Sequence, residues 1–219
     1  MSKDVWIVIP AYEEEGMIGS VIDDLKNRGY GQIIVVDDGS EDRTGEVARS
    51  REIVVVTHEV NSGLGAALRT GLREARSRDA DVAVTFDADG QHDPEEIEKL
   101  VEALEDADFV VGERRRNQMP LNKKVGNFVL DFLTHVLGGP FTDSQSGFRA
   151  FGKKALEKIR IKSDRYSVSS EIIIQVGEEG LKFQSVPIKC IFTDYSKASG
   201  TTIASGIKIL VDLLRLKGK

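Results

Sequence analysis

The stretch VAVTFDADGQHDPEE, residues 82–96, decides the fold. Val82 to Phe86 form a short apolar run of the length and composition of a buried strand. The run ends on Asp87 and Asp89, two carboxylates that repel one another. HDPEE then reads as a helix start, with proline in the first turn and acids against the positive end of the helix dipole. A buried strand that ends on clustered acid calls for something positive there: a metal ion, a basic partner, or water alone. Asp87 and Asp89 can reach one hard cation, with Gln91 as a further oxygen ligand. Mg²⁺ bound in this way usually shares its shell with substrate phosphates.

The pattern extends outward from this stretch. Strand-like runs fall at Val5–Ile9, Gln32–Val36, Ile53–Thr57, Val82–Phe86 and Phe109–Val111, with helical periodicity near 15–28, 42–50, 64–78 and 94–105. Val- and Ile-rich strands alternating with helices predict an α/β fold, with a Rossmann-like, mostly parallel sheet and helices on both faces. In such sheets ligands gather at the carboxyl ends of the strands. Three of those ends are IPAYEEE (9–15), VVDDGSEDRT (35–44) and TFDADGQHD (85–93), and parallel strands bring them to one edge. Taken singly, DDGS is a good turn followed by a cap from Ser40 or Asp42. Caps alone do not require Asp37, Asp38, Asp87 and Asp89 to meet.

Composition narrows the function. The chain has 219 residues, 40% hydrophobic and 30% charged, an ordinary globular balance that allows one large domain. A net charge of −6 argues against general nucleic-acid binding. Cys190 is the single cysteine, which excludes an internal disulfide and a cysteine-based zinc site. The apolar run at the start is too short for a signal peptide, and no run approaches a membrane span. His58, His92 and His135 are not spaced as a metal cluster and read as structural.

Two rival motifs fail on their own residues. An EF-hand counted from Asp87 puts His92 where the turn needs glycine, and a strand rather than a helix leads in. A nicotinamide fingerprint in NSGLGAALRTG (61–71) has Leu68 at its third glycine and follows the third strand rather than the first. Those glycines let the third helix start close to the sheet or to a bound phosphate.

PAYEEE, DDGS, NSGLGAALRTG, DADGQHDPE, GERR and TDSQSGFRAF occur in an order and spacing that resembles the family 2 glycosyltransferases of GT-A fold. More narrowly, the chain resembles the polyprenyl-phosphate sugar transferases of the dolichyl-phosphate mannose synthase type. The likeness covers nearly all of residues 4–200. It implies inverting transfer from a nucleotide-sugar (GDP-mannose, UDP-glucose or UDP-N-acetylglucosamine) to a polyprenyl phosphate, with Mg²⁺ or Mn²⁺. By motif position it implies that Pro10, Tyr12, Glu14 and Asp38 line the nucleoside pocket. Asp87, Asp89 and Gln91 would hold the metal against the diphosphate. Arg114, Arg149 and Lys123 would face the acceptor phosphate, and Lys197 would close over the donor. Glu113 replaces the serine of the family's Gly-Ser-Arg, and the arginine expected several residues before Lys197 is missing. The likeness also implies one domain over 1–219: a nucleotide-sugar half to about 112, an acceptor half over 113–201, and a helix over 202–217.

A phosphate acceptor is already anionic and needs positioning by cations, a task that suits arginine's planar fork. A family 2 enzyme acting on a sugar or protein hydroxyl would instead need a carboxylate base, and Asp143 or Glu171 are the nearby candidates. Glu171 also reads as an ordinary helix-start acid. A nucleotide-sugar-binding protein without turnover is a third class. Two amphipathic segments bear on the membrane. Val125, Phe128, Val129, Phe132, Leu133, Val136 and Leu137 lie at helical spacing. Ile203, Ile207, Leu210 and Leu214 line one side of a last helix, with Lys208, Asp212, Arg215 and Lys219 on another. Each segment either covers the protein's own sheet or makes a peripheral membrane contact at the cytoplasmic face. The oligomeric state is not legible.

Overall fold

The computed structural model describes residues 3–114, 121–189 and 191, with backbone only at 121–123. Among them a seven-stranded sheet forms from β1 (Val5–Ala11), β2 (Ile33–Asp37), β3 (Val54–Thr57), β4 (Val82–Thr85), β5 (Phe109–Arg114), β6 (Arg149–Gly152) and β7 (Phe183–Ile188), in the order β3-β2-β1-β4-β6-β5-β7. All pairings are parallel except those of β6, which runs antiparallel to both β4 and β5. The five expected strands are present within a few residues of their expected bounds. β6 and β7 come from the region after 112, where periodicity gives no strand.

The helices are α1 (Ile18–Asn27), α2 (Thr44–Arg49), α3 (Leu64–Ser77), α4 (Ile97–Ala103), α5 (Leu121–Val136), α6 (Lys153–Lys158) and α7 (Val168–Glu178), with a short 3₁₀ turn at Pro94–Glu96. Strand alternation splits the core in two. Trp6 and Val8 of β1 join Ile34, Val36, Leu68 and Leu72 on one face, and Ile172 and Val176 of α7 pack there too. Ile7 and Ile9 join Ile22, Leu25, Val35, Val84, Ile97 and Leu100 on the other. Each such side chain, once fully buried, contributes roughly 1.5–3 kcal/mol relative to exposure. Helices therefore cover both faces, and β1 and β4, apolar on both sides, are central.

The glycines before and within α3 serve close packing. A Cβ on Gly71 would lie 2.3 Å from Val8 Cγ1, so the helix can approach the sheet only without one. Gly63 has φ +99°, and a Cβ on Gly65 would meet the Ser163 carbonyl at 2.0 Å. In the first turn of α3, the N–H groups of Gly65 and Ala66 are taken by the Asp164 carbonyl at 2.8 and 3.2 Å. Of the two readings of this loop, the close approach of helix and chain is the one these contacts serve.

α5 is turned inside out. Its buried positions are Leu130, Asp131 and Thr134, whereas Val125, Phe128, Val129, Phe132 and Val136 are about half exposed or more. Asp131 explains the orientation: its carboxylate accepts from both the backbone N–H (2.8 Å) and the hydroxyl (2.7 Å) of Ser144. A buried carboxylate needs such donors, and they lie on the protein side. Leu130 packs with Leu137 and Ile174 of α7, and the apolar stripe faces away from the sheet. The expected last helix and Cys190 lie outside the described residues.

Candidate active site

The ends of β1 and β2 are stitched together by backbone donors of the PAYEEE loop. Glu13 N–H donates to Ser40 Oγ (3.0 Å), Glu14 N–H to Thr44 Oγ1 (2.7 Å) and Glu15 N–H to Asp42 Oδ2 (3.1 Å). Asp42, of the two cap candidates, takes the Thr44 N–H at 2.9 Å. Pro10 closes β1 beside Val36, and Tyr12 projects from it, 42% exposed. The Tyr12 phenol is held above its ordinary value, first by a hydrogen bond to Glu13 and then by that carboxylate's charge. Pro10, Tyr12 and Glu14 thus share one rim.

Asp38 stands at the same edge but faces inward. Its carboxylate accepts from Ser62 N–H (3.0 Å) and Gly63 N–H (2.7 Å) and pairs with His58 Nδ1 (2.7 Å), whose Nε2 meets Thr70. The side chain is buried, and it anchors the glycine-rich loop. Its carboxylate oxygens are turned to these backbone N–H groups and to His58, so Asp38 holds this loop from beneath.

The acidic loop after β4 forms the second rim. Burial pushes the Asp87 carboxyl up, but His92, then Arg149 and Arg114, outweigh it and hold the group below its ordinary value. Asp89 moves the other way, raised by burial and then by the charge of Asp87. Asp89 accepts from the Gln91 backbone N–H (3.0 Å) and from its side-chain amide. These three side chains present carboxylate and amide oxygens, the donor set of a hard cation. Among the described residues no group of three or more Asp, Glu, His or Cys side chains could enclose a metal. Two carboxylates and an amide fit an ion that takes its remaining ligands from elsewhere.

β6 delivers the SQSGFR motif to this loop. Its antiparallel register sets Arg149 opposite Thr85 and also opposite Val111. Thr85 Oγ1 donates to the Gly147 carbonyl at 2.6 Å, and a Cβ on Gly147 would fall 2.5 Å from both Asp87 oxygens. Arg149 is wholly buried, with Nη2 donating to the Ser144 carbonyl at 3.0 Å and Nε and Nη1 buried without a partner. Burial pushes the guanidinium down to about 10, against the pull of Asp87 and Asp143. Arg149 is thus enclosed, and its positive charge and the negative charge of Asp87 favour one another. Arg114, at the end of β5, grips Asp143 through Nε (2.7 Å) and Nη2 (2.8 Å), and about a quarter of its side chain stays exposed. Lys123 stands in the first turn of α5 with its side chain outside the described set, and Lys197 lies outside the described residues.

Several site residues escape sequence reasoning. Nothing in the sequence marks Asp143 as the partner of Arg114 or Asp131 as the partner of Ser144, and little marks His92 as the partner of Asp87. Only for His92 is there a local signal, a histidine within one turn of the two carboxylates. Glu171, which the sequence leaves between a site residue and a helix-start acid, does a third thing. It is buried and accepts from the Lys162 N–H (2.8 Å) and Ser163 N–H (2.9 Å), tying down the loop before α7.

Comparison with known proteins shows the family. Residues 6–160 match the family described as glycosyl transferase family 2. A UDP-N-acetylglucosamine–dolichyl-phosphate N-acetylglucosaminyltransferase of Methanococcus voltae is 43% identical, over 98% of this chain and 96% of that one. An undecaprenyl-phosphate mannosyltransferase of Micrococcus luteus is 30% identical, over 93% and 90%. Among solved structures, glucosyl-3-phosphoglycerate synthase from Mycobacterium tuberculosis, in complex with Mg²⁺ and UDP, superposes with a TM-score of 0.74 at 23% identity, over 98% of this chain and 79% of that one. The chain belongs to glycosyl transferase family 2 and is a glycosyltransferase of GT-A fold.

Proposed function

We propose that this enzyme transfers a sugar from a nucleotide-sugar to a polyprenyl phosphate, with inversion and with Mg²⁺ or Mn²⁺. The observation that carries the reading is the fate of the two carboxylates that a hydroxyl acceptor would need. Asp143 is engaged by Arg114 through two hydrogen bonds, and Glu171 by two backbone N–H groups. A hydroxyl must lose its proton to a base within reach. A phosphate monoester is anionic at neutral pH and attacks without one. The two relatives support this: they differ in the sugar their names give, while both names specify a polyprenyl or dolichyl phosphate.

In this reading Asp87, Asp89 and Gln91 hold the divalent cation, which neutralises charge building on the leaving diphosphate. Pro10, Tyr12 and Glu14 bind the nucleoside, on a loop that Asp38 steadies from beneath. Arg114, oriented by Asp143, meets the acceptor phosphate together with Lys123. Arg149 supports both from behind Asp87, and Lys197 closes over the donor. The half before residue 112 serves the donor and the half after it the acceptor, within one domain. The exposed stripe of α5, directly after the basic segment 114–124, makes a peripheral contact with the cytoplasmic face of a membrane. Among the described residues no helix is long and apolar enough to cross one.

UDP-N-acetylglucosamine is the first donor to test, ahead of UDP-glucose and GDP-mannose. A thermal-shift panel with Mn²⁺ tests binding. A donor present at about 100 times its Kd stabilises the fold by roughly 2.7 kcal/mol. If no nucleotide-sugar raises Tm, the donor assignment falls.

A further inference from the structure

The Asp87 carboxylate is held on two sides. His92 Nε2 lies 2.8 Å from Asp87 Oδ2, five residues further along the same loop. On the other side Gly147 approaches so closely that no Cβ fits. The His92 ring cannot turn away. It is buried against Phe86 (centroids 5.3 Å, 71°) and Phe148 (4.7 Å, 31°), two fully buried rings that also pack edge to face on each other at 5.4 Å. Its second nitrogen, Nδ1, is buried with no partner. A proton there would be a buried donor without an acceptor, so the geometry places the imidazole proton on Nε2, pointing at Asp87. The Asp87 side chain itself remains 38% exposed.

We infer that His92 is a positioning residue, an Nε2–H donor that locks the Asp87 carboxylate in one orientation for a divalent cation. The inference rests on the proposed assignment of Asp87 and Asp89 as metal ligands. A carboxylate on an open loop samples several rotamers, and a cation must select one. A second-sphere hydrogen bond from a caged ring removes that cost before the ion arrives, and loss of such partners weakens metal binding about 10–100-fold. A buried histidine with a purely structural role would behave differently: its loss would lower Tm and leave the affinity of the folded protein unchanged.

The test measures Mn²⁺ binding by electron paramagnetic resonance, alone and with whichever of UDP or GDP binds better, on the wild type, His92→Phe and His92→Gln. The phenyl ring keeps the packing and removes the donor, whereas the glutamine amide restores a donor near the Nε2 position. The expected result is Mn²⁺ affinity about 10–100-fold weaker in His92→Phe and close to wild type in His92→Gln. If His92→Phe does not fold, His92→Asn, whose amide stops short of Asp87, takes its place. Equal affinity in wild type and His92→Phe would overturn the positioning role and leave the metal assignment standing. A wild type that binds no Mn²⁺ would overturn the metal assignment and the positioning role with it. Nitrogen-15 NMR of the metal-free wild type gives a readout independent of metal: the proton is expected on Nε2, and a proton on Nδ1 instead would overturn the inference.

Discussion

Arg149 lies directly opposite Thr85 across the antiparallel β4–β6 pair, two residues before Asp87. This register makes one site of two motifs more than fifty positions apart in the chain. It also gives Asp87 a buried positive neighbour. Because Asp87 is held below the ordinary carboxyl value of 3.8, its ionised form stabilises the fold above that pH, and the contribution is lost as pH falls through the lower folded value. Arg149→Met removes part of the cause and lets that folded value rise. Urea unfolding at pH 3 and pH 7 is expected to show a smaller stability difference in the mutant than in the wild type. An unchanged difference would mean that Arg149 does not act on Asp87.

Asp89 carries the opposite sign. Its carboxyl is raised above 3.8, by burial and then by Asp87, so the folded chain keeps a proton that the unfolded chain has released. Stability therefore falls as pH rises from 3.8 through the raised folded value. Asp89→Asn removes this loss: unfolding curves from pH 4 to 7 are expected to be flatter, with Tm at pH 7 equal to or above wild type. The same mutant is expected to lose Mn²⁺-dependent turnover. Wild-type turnover in Asp89→Asn would remove it from the metal site.

Glu171 is a structural acid. Glu171→Ala leaves the N–H groups of Lys162 and Ser163 without an acceptor and is expected to cost about 2–3 kcal/mol in urea unfolding, in the range of hydrogen bonds to charged groups. At a temperature where the variant is folded, kcat is expected to stay within a few-fold of wild type. Loss of turnover at full stability would restore Glu171 as a candidate base and with it the hydroxyl-acceptor reading.

The stripe on α5 is expected to bind lipid without supporting the fold. Phe128→Ser with Phe132→Ser changes two half-exposed side chains, and exposed substitutions of this kind stay within about 0.5 kcal/mol of neutral. Flotation with anionic liposomes at low salt is expected to fall sharply in the double mutant. Flotation equal to wild type would place the membrane contact elsewhere.

β1, β2 and β4 are legible because both their faces are apolar, and a run such as Trp6–Ile9 has nowhere to go but the middle of a sheet. The meeting of the three strand ends follows from parallel strands alone. β6 is not legible: four residues beginning with a buried arginine break the rule that charge stays outside, and only a resemblance to known motifs marked Arg149. Periodicity finds the α5 stripe but not which way it faces, since that depends on Asp131 meeting Ser144 thirteen positions on. Glu171 looks like a site acid in the sequence because its partners are the backbone N–H groups of Lys162 and Ser163, which no side-chain pattern announces.

The most direct test of the central claim is acceptor discrimination. Purified enzyme with Mn²⁺ and radiolabelled UDP-N-acetylglucosamine, UDP-glucose or GDP-mannose would be offered a short polyprenyl phosphate and, separately, the matching polyprenol. The expected result is lipid-linked sugar from at least one donor with the phosphate, none with the alcohol, and none after chelation of the metal. Sugar transferred to the polyprenol or to another hydroxyl acceptor, with the phosphate untouched, would contradict it.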